Sequence, residues 1–154
     1  MLQPAQQNWL FVCRASTQDG LGHLIRSRSV LETATAQTDL NIAAQLVVIG
    51  PESNAELLSG VRFIYHLLAD DAALLDHLNT LDHDFEVVFI DTLHLEASTF
   101  AALKAKCRMT VSLSPIFDQM SSVDLLVNRT THLATELPES GPQLLAGLEY
   151  TILR

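Results

Sequence analysis

The chain has 154 residues, of which 48% are apolar, 18% charged and 6% aromatic, a composition typical of a folded domain and not of a disordered or collagen-like chain. Nine Lys and Arg residues stand against 18 Asp and Glu residues, for a net charge of −9. This balance argues against nucleic acid and anionic membranes as partners, because both require basic surface.

The N-terminal segment, residues 1–8, lacks the basic start and the apolar run of a signal peptide. No apolar run reaches the roughly 20 residues that a membrane-spanning helix needs, so we predict a cytoplasmic protein without membrane insertion. Cys13 and Cys107 belong to no metal-binding or redox motif, and we expect two reduced thiols. Residues 128–130 match an N-glycosylation acceptor pattern, which carries no weight without a secretion signal.

The first strand, loop and helix have the most distinctive sequence of the chain. Residues 9–13 form an apolar run of strand length, which predicts a buried parallel strand. A polar, glycine-containing loop follows over residues 15–22. Apolar residues then recur at helical spacing, so a helix is expected to begin at Gly22 or His23.

Strands and helices alternate along the rest of the chain. We predict further strands over residues 43–49, 61–66, 86–91, 109–113 and 123–127, and helices over residues 53–58, after the capping pair Asp70-Asp71, and over residues 100–106. This alternation predicts an α/β fold, a three-layer, Rossmann-like sandwich with a mainly parallel sheet. Residues 1–135 are expected to form this domain. Residues 136–154 are expected to lead into a further domain, or to pack back on the sheet.

Open parallel sheets bind ligands outside the carboxyl ends of their strands, so the loops there hold the candidate site residues. In the first of these loops, Gly20 and Gly22 permit close backbone approach, helix-start amides attract an anion, and Arg26 can add a bidentate grip. The helix dipole favours a neutral imidazole at His23, which suits a general base. A plain turn with a capping histidine is the alternative. The segment matches neither a dinucleotide-binding glycine motif nor a Walker loop.

The next two loops at this edge carry Asp91, Thr92, His94 and Ser114. We expect Asp91 to orient the catalytic group, and Thr92, His94 and Ser114 to contact the substrate; a helix cap and loop-capping hydroxyls are the alternatives. Asp91, His94 and Glu96 have the residue types of a metal site, but no second ligand cluster is visible. We therefore predict neither a metal nor another cofactor. No nucleophile elbow surrounds Ser114, so a serine hydrolase is not supported.

Taken in order, these residues resemble the nucleotide-sugar hydrolases of pseudaminic acid biosynthesis and the related spore-coat polysaccharide proteins, whose fold is the two-domain GT-B arrangement. Four motifs that together span nearly the whole chain carry the resemblance: Gly-x-Gly-His-x-x-Arg at residues 20–26 behind a strand ending in Arg14, the strand ending in Asp91, Val-Asp-Leu-Leu-Val-Asn at residues 123–128, and Gly-Leu-Glu-Tyr-Thr-Ile-Leu-Arg at residues 147–154. In the family the last motif leads into the carboxyl-terminal domain. The resemblance thus implies that this chain is the amino-terminal half.

The resemblance also implies roles for the candidate residues. His23 would be the base that activates water at the anomeric carbon, and Gly20, Gly22 and Arg26 would shape the sugar-diphosphate cleft, with Arg14 among the substrate-binding residues. A missing carboxyl-terminal domain or partner subunit would grip the UDP. The implied function is hydrolysis of a UDP-sugar in surface-polysaccharide (nonulosonic acid) biosynthesis. Two alternatives stay open: the acceptor-binding half of a GT-B glycosyltransferase, and a non-catalytic module that binds sugar nucleotides or serves assembly.

Overall fold

The described part of the computed structural model, residues 5–37, 39–129 and 139–150, contains seven strands in one parallel sheet. The strands are β1 (Gln7–Arg14), β2 (Ile42–Ile49), β3 (Ile64–Leu68), β4 (Phe85–Asp91), β5 (Cys107–Ser112), β6 (Leu125–Asn128) and β7 (Gln143–Ala146). The helices are α1 (Gly22–Thr35), α2 (Asp71–Thr80) and α3 (Ala97–Ala105), with shorter 3-10 helices at Glu52–Leu58, Met120–Ser122 and Leu148–Tyr150. The predicted α/β sandwich with a parallel sheet is confirmed.

Strand β1 is an interior strand of the sheet, between β2 and β4, and helices cover both faces of the sheet there. Its residues Leu10, Phe11, Val12 and Cys13 are all fully buried, which explains the unbroken apolar run. Alternate side chains point to opposite faces. Leu10 and Val12 pack with α2 and α3, whereas Phe11 and Cys13 pack with α1.

The order of the strands, β3-β2-β1-β4-β5-β6-β7, reverses direction between β1 and β4. The chain builds outward from β1 through β2 to β3, then returns to place β4 on the other side of β1. In parallel sheets, the carboxyl edge at such a reversal of strand order is the usual place for a ligand. Every predicted site residue lies in or beside a loop at this edge.

The third strand differs from its prediction, because it covers residues 64–68 and not 61–66. Gly60 has a positive φ of 78°, and Val61 N–H donates to the Leu58 carbonyl, so the chain is still turning at residue 61. Pairing with β2 begins only at Ile64, opposite Gln45. The apolar residues just before Ile64 pack on the core as a loop, although their pattern resembles a strand.

The C-terminal segment contributes a strand that was not predicted. Gln143–Ala146 pairs with β6 in parallel, so this part of the segment does pack on the sheet. Most of its side chains are exposed, and the apolar pattern of a buried strand is therefore missing. Residues 130–138 and 151–154, which include the end of the last motif, lie outside the described residues. A further domain stays a prediction.

Both cysteines are free, as predicted. Burial raises the pKa of the Cys13 thiol far above its usual range, and burial together with the charge of Asp124 raises the pKa of Cys107 to about 11. Both thiols are therefore protonated and unreactive at neutral pH. None of the helices in the described ranges has the length and hydrophobicity needed to span a membrane.

Candidate functional site

The candidate site lies where β4 ends beside β1. In the sheet register Asp91, the last residue of β4, is opposite Cys13 of β1. Cys13 packs with α1, and strand alternation therefore directs the Asp91 side chain toward the same helix. The first turns of α1 lie above the end of β4, so residues that are far apart in sequence meet there.

Asp91 is held by three side chains of α1. Its Oδ1 lies 2.7 Å from His23 Nδ1, its Oδ2 accepts from Arg26 Nε at 2.6 Å, and Arg26 Nη2 donates to Oδ1. Ser27 Oγ donates to Oδ2 at 3.4 Å. These helix positions share one face because they are three and four residues apart. The Asp91 side chain is fully buried, and those of His23 and Arg26 are 11% and 14% exposed.

The hydrogen bonds determine the tautomer of His23. Arg26 Nη2 lies 3.0 Å from His23 Nδ1 but can only donate, so it satisfies Asp91 and not the ring. His23 Nδ1 therefore carries a proton and donates it to the Asp91 carboxylate, which leaves Nε2 as the accepting nitrogen. Arg26 balances the charge of Asp91. The arrangement fixes the orientation of the imidazole and directs its Nε2 away from the carboxylate.

Arg26 differs from its expected role as a grip for an anion. Both Nε and Nη2 of its guanidinium are used by Asp91, which leaves Nη1 for any ligand. The bidentate pair gives the fully buried carboxylate a partner of opposite charge, which a buried charge requires. Arg26 is therefore a positioning residue for Asp91 and His23.

Gly20 and Gly22 differ in backbone conformation, and only Gly20 has one that requires glycine. Gly20 has a positive φ of 76°, and its N–H donates to the Ser16 carbonyl at 2.9 Å, which closes the turn. Gly22 begins α1 without a positive φ, and a Cβ added there would meet open space. The structure shows no side-chain cap on this helix start, so its first-turn amides donate no hydrogen bond to a capping side chain. Both features suit a ligand that approaches the backbone.

Arg14 is not part of this cluster. It follows Cys13 in β1, so its side chain lies on the opposite face of the sheet. There it forms an ion pair with Asp71, the first residue of α2. The structure thus separates Arg14 from His23, although both were expected to line one cleft.

The remaining predicted residues divide into two buried hydroxyls and one exposed imidazole. Thr92 Oγ1 donates to the His94 carbonyl at 2.9 Å, and Ser114 Oγ donates to the Ile116 carbonyl at 3.5 Å; both residues are almost fully buried. These contacts favour the loop-capping alternative for the two hydroxyls. The His94 ring is 67% exposed and pairs with Asp118 through Nδ1 at 2.5 Å. It forms a second imidazole–carboxylate pair at the same edge.

The same loops do not form a metal-ligand set among the described residues. In residues 5–37, 39–129 and 139–150, no three His, Cys, Asp or Glu side chains come together as a ligand set. Asp91, His94 and Glu96 are thus not gathered around one point. Asp91 also has both oxygens engaged by α1.

Two residues of the site were missed in the sequence. Ser27 contacts Asp91 from within α1. Arg129 follows β6, is half-buried and donates from Nε to the Leu113 carbonyl at 3.2 Å. Burial and the charge of Arg26 lower the pKa of Arg129, while the charge of Asp91 raises it. The signal in the sequence is the position of Arg129 directly after a strand end, at the ligand edge of the sheet.

The chain matches no model of a known protein family, no curated protein and no solved structure. The resemblance to the nucleotide-sugar hydrolases therefore stays a prediction. The function has to be argued from the chemistry of the His23, Arg26 and Asp91 cluster.

Proposed function

We propose that this chain is the catalytic, sugar-binding half of an enzyme that hydrolyses a nucleotide-activated sugar, with His23 as the general base. The single observation that carries the proposal is the 2.7 Å contact between His23 Nδ1 and Asp91 Oδ1. This contact holds the ring in one orientation and one tautomer, which is what a base needs before the substrate arrives. The loop sequence at residues 20–26 supplies the link to sugar nucleotides through its resemblance to the hydrolase family.

In the proposed reaction, His23 and Asp91 are the two residues of this chain that take part in the proton transfer. His23 Nε2 removes a proton from water as the water oxygen bonds to the anomeric carbon. The bond between that carbon and the diphosphate oxygen breaks, and the nucleoside diphosphate leaves with the electron pair. Asp91 stabilises the imidazolium that forms, and a positioned base of this kind contributes about 10²–10⁴-fold in rate.

The surroundings of His23 support an anionic substrate. His23 is in the first turn of α1, where the helix dipole and uncapped amides favour a negative group. Asp91 does not repel such a substrate, because Arg26 balances its charge. A second domain or partner subunit would then bind the nucleotide from the open side of the cleft.

Heteronuclear NMR of the nitrogen-labelled chain tests this proposal. During titration with UDP-N-acetyl sugars, we expect the backbone amides of residues 20–25 to shift, because they line the cleft. The amides of residues 84–86 and 105–108 at the opposite edge of the sheet are the internal control. Shifts that spread equally over both edges, or no shift at millimolar concentration, would contradict the proposal.

Product analysis separates hydrolysis from transfer, since the same base can deprotonate a sugar hydroxyl. We expect free UDP and free sugar in equal amounts when the complete protein is supplied with its substrate. UDP release that requires an added acceptor would instead identify a glycosyltransferase.

A further inference from the structure

A cleft lies at the carboxyl edge of the sheet where β1, β2 and β3 end. Its walls come from Ser16, residues 50–52 and residues 67–69. Its volume is about 520 Å³, within the range of about 300–1,000 Å³ that small-molecule sites occupy. The cleft is therefore large enough for a small ligand, at the edge where open parallel sheets bind one.

Contacts between the three loops fix the shape of the cleft. Gly50 N–H donates to the Leu68 carbonyl at 2.9 Å, and Ala15 N–H donates to the Ile49 carbonyl at 2.9 Å. A Cβ at Gly50 would overlap the Ala15 carbonyl oxygen, so only glycine allows the loops to approach this closely. The buried Asn54 side chain donates to the same oxygen at 2.9 Å. The protein itself thus holds the three loops together, and the cleft is preformed.

The lining combines apolar side chains with one carboxylate. Pro51 and the leucines at residues 67–68 offer apolar surface, against which the C–H groups of a ring can pack. Among the described residues that line the cleft, Glu52 is the one with an ionisable side chain, and it is exposed. The Ser16 hydroxyl is already engaged, because it donates to Asp19 Oδ2 at 2.5 Å. Glu52 is thus the polar side chain that selects the ligand.

The carboxylate of Glu52 favours a ligand that carries neighbouring hydroxyls. An ionised carboxylate only accepts hydrogen bonds, and its two oxygens can accept from two adjacent hydroxyls at once. In doubly wound folds an acidic side chain near the second strand binds ribose hydroxyls, and Glu52 closely follows β2, which ends at Ile49. A phosphate would be repelled by Glu52 in a protein with a net charge of −9. A metal ion would need further ligands, and the described residues gather no set of three.

We propose that this cleft binds the vicinal diol of a neutral ribosyl or glycosyl group, with the Glu52 carboxylate accepting from both hydroxyls and residues 67–68 packing on the ring. The inference goes beyond the proposed function and does not rest on it, because the cleft lining and the His23, Arg26 and Asp91 cluster share no residue. The ribose of a nucleoside and a sugar ring share the recognised chemistry.

NMR titration of the nitrogen-labelled chain with uridine and, separately, with N-acetylglucosamine tests the cleft. Both ligands carry vicinal hydroxyls and no phosphate. We expect at least one of them to shift the amides of Gly50, Glu52 and residues 67–69, while the amides of residues 105–108 at the opposite edge stay in place. The proposal is overturned if neither ligand shifts the cleft amides at millimolar concentration.

A deoxy analogue tests the diol itself. Dideoxyuridine lacks both ribose ring hydroxyls, and a deoxy form of N-acetylglucosamine lacks one of its vicinal pair. We expect the analogue to bind at least about tenfold more weakly than its parent, because hydrogen bonds to a charged group are lost. Equal binding of parent and analogue would overturn the contact with the diol.

Two matched variants test the role of Glu52. Glu52→Gln is compared with Glu56→Gln, because Glu56 is exposed on the same 3-10 helix and is not among the described residues that line the cleft. We expect Glu52→Gln to weaken binding by about fivefold or more, since charge-assisted hydrogen bonds are the stronger ones, and Glu56→Gln to change it by less than about twofold. Both variants should keep the wild-type thermal midpoint, because the changed side chains are exposed. Equal losses in the two variants, or full binding by Glu52→Gln, would overturn the proposal.

The two ligands also distinguish the two sources of the diol. Binding of uridine alone assigns the cleft to the ribose of a nucleoside, and binding of N-acetylglucosamine alone assigns it to a sugar ring. Failure of the proposed function shows separately, as turnover that does not depend on His23, whereas failure of this inference shows in the amides of the cleft.

Discussion

His23 Nδ1 lies 2.7 Å from Asp91 Oδ1, although 68 positions separate the two residues in sequence. The contact exists because β4 returns to the side of β1 and ends beneath the first turn of α1. An imidazole held by a buried carboxylate has one orientation, and its second nitrogen faces away from that carboxylate. Four predictions follow from this geometry and from its surroundings.

Replacement of His23, the proposed base, tests catalysis separately from folding. If the proposed hydrolysis is correct, His23→Asn lowers kcat by about 10²–10⁴-fold, because a positioned general base contributes that much. The thermal midpoint should change little, since asparagine keeps a polar group near Asp91. His83→Asn is the matched control, because His83 is on the surface beside Asp82. Wild-type turnover in His23→Asn would leave the capping role as the correct interpretation.

Removal of the buried carboxylate should be costly for stability. Asp91→Asn leaves the Arg26 charge without its partner in a fully buried contact, and loss of one member of such a pair costs about 3–5 kcal/mol. Asp118→Asn breaks the exposed pair with His94 and should cost less than about 1 kcal/mol. Urea unfolding measures both changes.

A double variant distinguishes the unpaired charge from lost packing. Asp91→Asn combined with Arg26→Gln should be less destabilising than the sum of the two single changes, because no uncompensated charge remains. Strict additivity in the cycle would argue against the proposed ion pair.

Replacing Gly20 or Gly22 by alanine should change the stability of the protein in opposite directions. Gly20→Ala should destabilise the protein by about 1–2 kcal/mol, because φ at residue 20 is 76° and a Cβ is disfavoured there. Gly22→Ala should be neutral, or stabilising by up to about 1 kcal/mol, because Gly22 starts a helix and has room for a methyl group. Binding of the proposed anionic substrate should nevertheless weaken in Gly22→Ala, because the added methyl group would lie beside the helix-start amides. Calorimetry and urea unfolding on the two variants check both expectations.

A pair of histidines away from the site predicts a pH dependence of stability. The rings of His66 and His77 lie 4.3 Å apart between centroids, and burial together with His66 lowers the pKa of His77 from its ordinary value of 6.5. The unfolded chain then binds this proton more readily than the folded protein. The neutral His77 ring therefore contributes its full share to the free energy of unfolding above pH 6.5. This share is lost progressively as the pH falls below 6.5.

Urea unfolding between about pH 8 and about pH 5 measures this dependence. His77→Gln should reduce the loss of stability on acidification, while the exposed His83→Gln should leave it unchanged. An identical pH profile in wild type and His77→Gln would refute the assignment.

The sequence by itself determined the alternation of elements and the edge at which the site lies. Apolar runs are unbroken in β1 and β4 because both strands are buried on both faces, and that pattern is local. The helix cap at Asp70 is local too, since its side chain accepts from Ala73 N–H three residues later. Patterns that involve only residues close together in sequence can be recognised without knowledge of the fold.

Only the tertiary structure decided which of the candidate residues meet. Arg14 and Asp91 both end buried strands, yet the register of β1 with β4 puts Asp91 on the α1 face and Arg14 on the face of α2. Arg129 reaches the Leu113 carbonyl because β6 lies beside β5, and the pairing of β7 involves mostly exposed side chains. Strand register and order depend on contacts between distant residues, and no local pattern encodes which face a strand-end side chain will share.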